Sequence, residues 1–194
     1  MGKGDQFERD ISRDLSEWWT DGDRDDIYWR TSQSGGRATT RRKKGKSTKN
    51  QCGDVAATDP IGLPLVQLMT IELKRGYPKS NIGDVFDRPD HLNPTEWEQH
   101  WQQAWEASTN EGTFGPCLII HRTRRERMIY LSNEVVNALR HGAAIPTPSI
   151  RFDYEYEPGN HETVFAEQLR HFLGRVTPDD VVDALAYGRL TWQS

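Results

Sequence analysis

Residues 65–77 read LVQLMTIELKRGY, a segment that begins as an apolar run and ends in charges. A run this apolar predicts a central β-strand over 65–75, buried on both faces at its start. Glu72 and Lys74 stand two positions apart near its end, so they share one face of the strand, about 7 Å apart along it. Charges at the edge of a buried face are costly unless they have partners or a task.

A second acid can meet these charges. Asp54 lies in a short strand candidate at 52–59, and the PIGLP segment that follows reads as a turn. Such a turn would make the two strands antiparallel neighbours and bring Asp54 beside Glu72. Asp59 is a rival for this place, but it lies next to a proline in the turn and ranks lower.

Two converging carboxylates point to a divalent cation. Without a cation they would repel each other and raise a pKa. Mg²⁺ usually takes one or two carboxylates from a protein and completes its shell with water and phosphate oxygens. Lys74 could then orient or activate a water molecule, or stabilise charge on a phosphate.

The composition predicts one compact domain that is not globally basic. The chain has 194 residues, seven of them Trp, and a net charge of −4, so it can bury a sizeable core and any nucleic-acid surface must be local. Its two cysteines form no CxxC pair, and its six histidines have no zinc-binding spacing. No segment reads as a signal peptide or a membrane span, so a cytoplasmic protein is expected.

The remaining pattern alternates between helical and strand periods. Helices are predicted over 6–19, 95–108, 133–142, 161–176 and 177–188, and strands over 27–32, 52–59, 65–75, 116–123, 127–132 and 149–157. This order favours an α/β fold in which helices flank a mixed central β-sheet. We expect a core over 1–145 and a C-terminal helical extension over 146–194, in which one strand and two helices pack on that core.

The helix predicted over 95–108 has an apolar stripe and a polar one. Trp97, Trp101 and Trp105 recur every fourth residue and are expected in the core rather than on a base-stacking platform. Three glutamines of the same helix could each reach the charged strand end: Gln99, Gln102 and Gln103. Spacing does not choose among the three.

A basic segment precedes Asp54. Residues 33–51 have no apolar periodicity, which predicts a long loop, and the stretch from Arg37 to Lys49 is basic with no acid. Such a block is either a mobile, solvated loop or a phosphate-binding element, and a metal site beside it favours phosphate contacts. Six residues are predicted to contact nucleic acid: Arg37, Arg41, Arg42, Lys43, Lys44 and Lys46.

These residues resemble a known family. Asp54, followed by Glu-Leu-Lys at 72–74, is similar to the PD-(D/E)xK nuclease signature. The opening KGDQFERDI, residues 3–11, resembles the first helix of archaeal Holliday-junction resolvases and related phage endonucleases. SQSGG at 32–36 is similar to their Ser-Gly loop. The resemblance covers roughly residues 4–130 and implies a restriction-endonuclease-like core.

The resemblance also implies roles for individual residues. Three groups would hold Mg²⁺, or Mn²⁺ in its place: the carboxylates of Asp54 and Glu72 and the main-chain carbonyl of Leu73. Lys74 would position the water that attacks a phosphodiester of DNA. Glu8 would assist the metal or its water, although it is one of several acids on an amphipathic helix, and most of those face solvent.

The resemblance implies a Mg²⁺-dependent DNA endonuclease, resolvase-like, that acts on branched or phage DNA. Ser34 of the Ser-Gly loop would be a further catalytic contact, although an ordinary loop serine is the simpler interpretation. A junction resolvase would be a symmetric homodimer. If phage-encoded, the protein would act in the host cytoplasm. One departure from the signature is Gly53, where proline is usual.

Two other interpretations stay open. A non-cleaving nucleic-acid-binding or packaging protein would keep a nuclease-like core, but the intact set of Asp54, Glu72 and Lys74 argues against it. A globular protein with a chance motif would have its acids scattered on the surface. Neutralising Asp54 or Glu72 would then have no effect or would stabilise the protein slightly.

Overall fold

The computed structural model describes residues 3–31, 53–77, 81–87, 93–148, 150–157 and 160–191. The helices are α1 (Lys3–Trp19), α2 (Leu63–Leu68), α3 (Gly83–Phe86), α4 (Glu96–Glu111), α5 (Asn133–Gly142), α6 (Leu169–Arg175) and α7 (Pro178–Thr191), and a 3₁₀ turn spans Pro60–Gly62. The strands are β1 (Tyr28–Arg30), β2 (Val55–Ala57), β3 (Met69–Arg75), β4 (Gly115–His121), β5 (Arg127–Ser132), β6 (Ile150–Glu157) and β7 (Asn160–Gln168). Within these ranges, no helix has both the length and the apolar character that crossing a membrane requires.

Five strands form the central sheet in the order β3-β4-β5-β7-β6. β3 and β4 run parallel, whereas every other neighbouring pair in this sheet is antiparallel. β1 and β2 form a two-stranded antiparallel pair of their own. Helices flank the mixed sheet, which confirms the α/β fold class that the sequence predicts.

The central sheet is packed on both faces. Ile119 points to the face covered by α1, α5, α6 and α7, whereas Leu118 points to the face covered by α4. Trp97 and Trp101 of α4 are completely buried, and Trp105 packs partly buried against the same cluster. The prediction that the tryptophan stripe belongs to the core is therefore confirmed.

The strand predicted over 65–75 is wrong in its first four residues. α2 occupies Leu63–Leu68, and β3 begins only at Met69. A proline in the first turn favours the start of a helix, and Leu65 and Leu68, three positions apart, both turn into the core. The prediction failed because a short apolar run does not distinguish a strand from a helix by its periodicity.

The helix predicted over 161–176 is wrong in its first half. β7 spans Asn160–Gln168, and α6 begins at Leu169. β7 lies between β5 and β6, so Val164 is buried under α4 while Phe165 is buried on the opposite face. Burial on both faces removes the alternation by which a strand is recognised.

Part of the C-terminal segment therefore completes the central sheet. β6, predicted over 149–157 and found at Ile150–Glu157, is one edge strand, and β7 joins it to β5. β3 is the opposite edge strand. The domain boundary at residue 145 stays a prediction.

Candidate active site

The acidic end of β3 lies at the free edge of the central sheet, where Asp54 meets it. β4 flanks β3 on one side only, and on the other side the main-chain N–H of Asp54 donates to the carbonyl of Ile71 at 2.8 Å. The main-chain N–H of Leu73 donates to Asp54 Oδ2, also at 2.8 Å. Two bonds to the main chain of β3 therefore hold the Asp54 carboxylate beside Glu72.

Asp54 lies beside Glu72 as predicted, but the strand pairing that was expected to bring it there is not present in the described residues. The predicted pairing of β2 with β3 is wrong: β2 pairs with β1, because a 3₁₀ turn and α2 occupy the connection that the sequence presents as a tight turn. Asp54 precedes β2 and bonds to β3 on its own. The rival acid Asp59 instead accepts a hydrogen bond from the Ile61 N–H at 3.1 Å and pairs with Arg24 at 2.8 Å.

Gly53 has a local reason to replace the proline of the nuclease signature. Its φ is +77°, whereas proline is restricted to φ near −65°. A Cβ at this position would lie 2.8 Å from Thr70 Cγ2 and 3.0 Å from the carbonyl oxygen of Ile71. Glycine therefore allows the chain before Asp54 to lie against β3.

Glu72 and Lys74 share one face of β3, and Gln103 of α4 joins them. Lys74 Nζ lies 2.7 Å from Glu72 Oε1. Gln103 Oε1 accepts a hydrogen bond from Lys74 Nζ at 3.0 Å, and Gln103 Nε2 donates to Glu72 Oε1. Because Glu72 is only 4% exposed, these two donors fix its carboxylate in a nearly dry environment.

The surroundings of Asp54 disfavour the ionised form of its carboxyl group. Its pKa is raised to about 7, first by burial, then by the charge of Glu72 and more weakly by that of Glu8. The hydrogen bond from Leu73 and the ammonium of Lys74 act in the opposite direction without cancelling the shift. A buried carboxylate that is repelled by its neighbours is stabilised by a bound cation.

Glu8 reaches this region from the first helix. Its charge acts on Asp54, and its side chain is 13% exposed. Its carboxylate pairs with Arg30 of β1 at 3.4 Å, and Arg30 also pairs with Asp5 at 2.9 Å. Glu8 is thus an acid that α1 turns toward the site and that an arginine partly neutralises.

The oxygen donors at the edge of β3 fit a hard cation. Asp54 and Glu72 offer carboxylate oxygens, and Leu73 offers a main-chain carbonyl. In the part of the chain that the structure describes, no three acids, histidines or cysteines are grouped so as to hold a metal ion by themselves. A site here would rely on one or two carboxylates with main chain and water, which is the usual situation for Mg²⁺.

α4 brings a second side chain, His100, to Lys74. The imidazole packs edge-on against Tyr77, with ring centroids 4.7 Å apart. Burial lowers the pKa of His100 to about 4, and the Lys74 charge adds to that effect, so the ring is neutral at pH 7. The sequence does not mark His100, and it leaves Gln103 as one of three glutamines, because both contacts depend on how α4 is rotated over the sheet.

Seven predicted contacts lie outside the described residues: Ser34, Arg37, Arg41, Arg42, Lys43, Lys44 and Lys46. The described residues on either side of them meet beside the site. The N–H of Thr31 donates to the carbonyl of Asp54 at 2.9 Å, and the Thr31 hydroxyl donates to the carbonyl of Gly53 at 2.8 Å. The chain therefore leaves for this basic segment, and returns from it, next to Asp54.

Comparison with known proteins adds one finding. The sequence model of a family described as "Phage putative PDDEXK endonuclease" matches residues 1–183. The match includes every strand of the mixed central sheet, and it identifies the fold as restriction-endonuclease-like. No curated protein and no solved structure gives a significant match.

Proposed function

The chain belongs to the phage PDDEXK endonuclease family, and we propose that it is a divalent-metal-dependent DNA endonuclease that hydrolyses phosphodiester bonds. One observation supports this proposal above the others. The Asp54 carboxylate is bonded to the main chain of β3 directly beside Glu72, and Glu72 is paired with Lys74. Two buried acids and a lysine at one strand end are the groups that metal-assisted hydrolysis requires.

Asp54, Glu72 and the Leu73 carbonyl would hold Mg²⁺, and Mn²⁺ could take its place. The bound ion would stabilise negative charge on the phosphate and make a water molecule more acidic. Glu8 would bind a water of the metal shell, since Arg30 already takes part of its charge. The positive charge of the bound ion would offset the repulsion between Asp54 and Glu72 that raises the pKa of Asp54.

Lys74 would orient the attacking water and stabilise charge on the phosphate. An ammonium group has three N–H donors. Glu72 and Gln103 accept from Lys74 Nζ at 2.7 and 3.0 Å, which leaves one donor for a water or a phosphate oxygen. Gln103 would be a positioning residue, because it holds both Lys74 and Glu72 without needing to touch the substrate.

The substrate would be DNA, of branched or phage origin, with the protein acting as a homodimer if it resolves junctions. The six basic residues between Arg37 and Lys46 would contact phosphates, and Ser34 would contact the reacting group. Their segment starts and ends beside Asp54, which supports a position near the scissile phosphate. A net charge of −4 makes such local basic elements necessary for binding DNA.

The test is cleavage of supercoiled plasmid, linear duplex and a synthetic four-way junction with Mg²⁺, Mn²⁺ or EDTA. Wild type with metal should cut, and wild type with EDTA and Lys74→Ala with metal should not. The preferred DNA form would separate a resolvase from a nickase or a general endonuclease. If wild type retards DNA in a gel but cuts none of these forms with either metal, the chain is a binding protein on a nuclease scaffold and the proposal is wrong.

A further inference from the structure

The turn between β4 and β5 is strongly basic. Residues 122–126 read RTRRE, and the N–H of Arg125 donates to the carbonyl of Arg122 at 3.0 Å to close the turn. Arg124 and Arg125 are exposed. We call Arg122, Arg124 and Arg125 the basic turn.

The basic turn lies at the same end of the sheet as Lys74. β3 and β4 are parallel, with Lys74 opposite Ile120, and the N–H of Gly76 donates to the carbonyl of His121 at 3.1 Å. Arg122 follows directly, so strand geometry puts its Cα about 8 Å from that of Lys74. Asp54 approaches β3 from the opposite edge, and Lys74 therefore lies between Asp54 and the basic turn.

Arg122 also points to the face of the sheet on which Lys74 lies. Burial raises the pKa of Tyr130 to about 12, and the charge of Arg122 opposes that rise, so Arg122 is near Tyr130. Tyr130 packs edge-on against Trp97 of α4, with ring centroids 5.4 Å apart. Arg122 therefore stands on the α4 side, as Lys74 and Gln103 do.

The positive charge of the basic turn is not neutralised within the described chain. None of its three arginines forms an ion pair there, whereas the neighbouring Arg127 pairs with Asp14. Glu126, the one acid of the turn, lies 3.9 Å from Arg170. Unpaired arginines beside a phosphodiester site offer planar donor groups that suit phosphate oxygens.

The backbone of the turn allows the Arg124 side chain to be tested by itself. Arg124 has a φ of +61°, a left-handed conformation that glycine or asparagine adopts more readily. Glycine at this position would therefore keep the turn while removing the guanidinium group.

We propose that the basic turn binds the DNA phosphate backbone on the β4 side of the active site, in addition to any contacts made by the basic residues between Arg37 and Lys46. The inference rests on the proposed function for its ligand, since a nuclease site next to the turn makes DNA the anion it meets. The contact would be independent of sequence, because arginines that meet phosphates position the duplex without reading bases.

The experiment measures binding of fluorescein-labelled duplexes by anisotropy, in EDTA and over a salt series, so that no cleavage is involved. The double variant Arg124→Gln/Arg125→Gln should bind at least about tenfold more weakly at 0.1 M salt. The slope of log K against log salt should fall by about 2, since each phosphate contact contributes about 0.9. Two duplexes of unrelated sequence should show the same loss.

The matched control is Arg151→Gln/Arg189→Gln, which removes the same total charge elsewhere. Arg151 is on the far edge strand β6, and Arg189 of α7 bonds to Gln67 of α2. This control should keep the wild-type slope. Equal slopes for both double variants, or a wild type that does not bind DNA, would overturn the inference.

A single change, Arg124→Gly, separates the side chain from the fold of the turn. Glycine relieves the left-handed backbone, so the melting temperature should stay the same or rise while DNA binding weakens. Unchanged binding would count against the inference. The two proposals fail separately. If the two double variants differ in slope but the wild type cuts no DNA, only the proposed nuclease activity is refuted. If the wild type cuts DNA but the two double variants have the same slope, only the role of the basic turn is refuted.

Discussion

Asp54 accepts a hydrogen bond from the main-chain N–H of Leu73 at 2.8 Å, which places its carboxylate against the edge of β3, beside Glu72. The bond joins two residues 19 positions apart. Because the donor is main chain, substitution of the Leu73 side chain would not remove it. The geometry of the acid pair is therefore built into the backbone of β3, and variants of the surrounding side chains can test chemistry separately from position.

Lys74→Ala should reduce cleavage by about 100-fold or more, because under the proposed function Lys74 would orient water and stabilise phosphate charge. The buried Glu72 also loses its cation, which should lower the free energy of unfolding by about 2 kcal/mol. Single-turnover cleavage and chemical denaturation measure the two effects. Arg175→Ala is the matched control, since it leaves the buried Glu167 without its arginine far from the site and should cost stability without loss of cleavage.

Asp54→Asn should stabilise the metal-free protein and abolish its response to Mg²⁺. Because the pKa of Asp54 is raised to about 7, its ionised form opposes folding, and this cost grows as pH rises from about 4 through 7. At pH 8 the variant should melt a few degrees higher in EDTA. Mg²⁺ should raise the melting temperature of wild type and of the control Asp59→Asn, but not that of Asp54→Asn. If Mg²⁺ shifts Asp54→Asn as much as wild type, Asp54 does not hold the metal.

Gln103→Ala should slow cleavage by about tenfold, because partners that orient a metal ligand usually contribute that much. Lys74 and Glu72 would keep their ion pair but lose the amide that joins both of them to α4. Gln102→Ala, one position away and exposed, should cleave at the wild-type rate. Gln103→Ala should lower kcat with little change in KM. If Gln103→Ala and Gln102→Ala cleave at equal rates, Gln103 has no role in the site.

His100→Gln should make the protein less sensitive to acid. The pKa of His100 is about 4 in the folded protein, below its ordinary value of 6.5, so folding favours the neutral ring. The stability this provides is present above pH 6.5 and is lost as pH falls toward 4. Unfolding free energies at pH 7.5 and 4.5 should differ less in the variant, by roughly 1–3 kcal/mol. His171→Gln, at an exposed position of α6, is the control and should show the wild-type difference.

Gly53→Ala should cost about 2 kcal/mol or more, because a Cβ there meets Thr70 Cγ2 at 2.8 Å in addition to the unfavourable φ of +77°. The clash would push Asp54 away from β3 and lower cleavage as well. Gly22→Ala is a matched control with a φ of +88° and no atom within 4 Å of the added Cβ. It should lose only about 1 kcal/mol and keep its activity. Equal thermal and catalytic effects of the two changes would show that Gly53 is needed only for its backbone conformation.

The sequence predicted the helix α4 and the strand end at Glu72 well, and it failed at two apolar segments. Alternation marks a strand only when one face is polar. The chain around Val164 is buried on both faces of the sheet and therefore lacks this alternation. The run around Leu65 is too short to distinguish a helix from a strand by its period. Glu72 was found because a charge at the end of an apolar run differs from its neighbours.

Charge, spacing and resemblance in the sequence were enough to propose Asp54, Glu72 and Lys74 as the reactive residues. How these residues meet follows only from the folded chain, through the hydrogen bond from the Leu73 N–H to Asp54 and the left-handed backbone at Gly53. The fold also singles out Gln103 among the three glutamines and places the basic turn beside Lys74. Period and charge are properties of neighbours along the chain, whereas these contacts depend on which strand lies next to β3 and on how α4 is rotated above it.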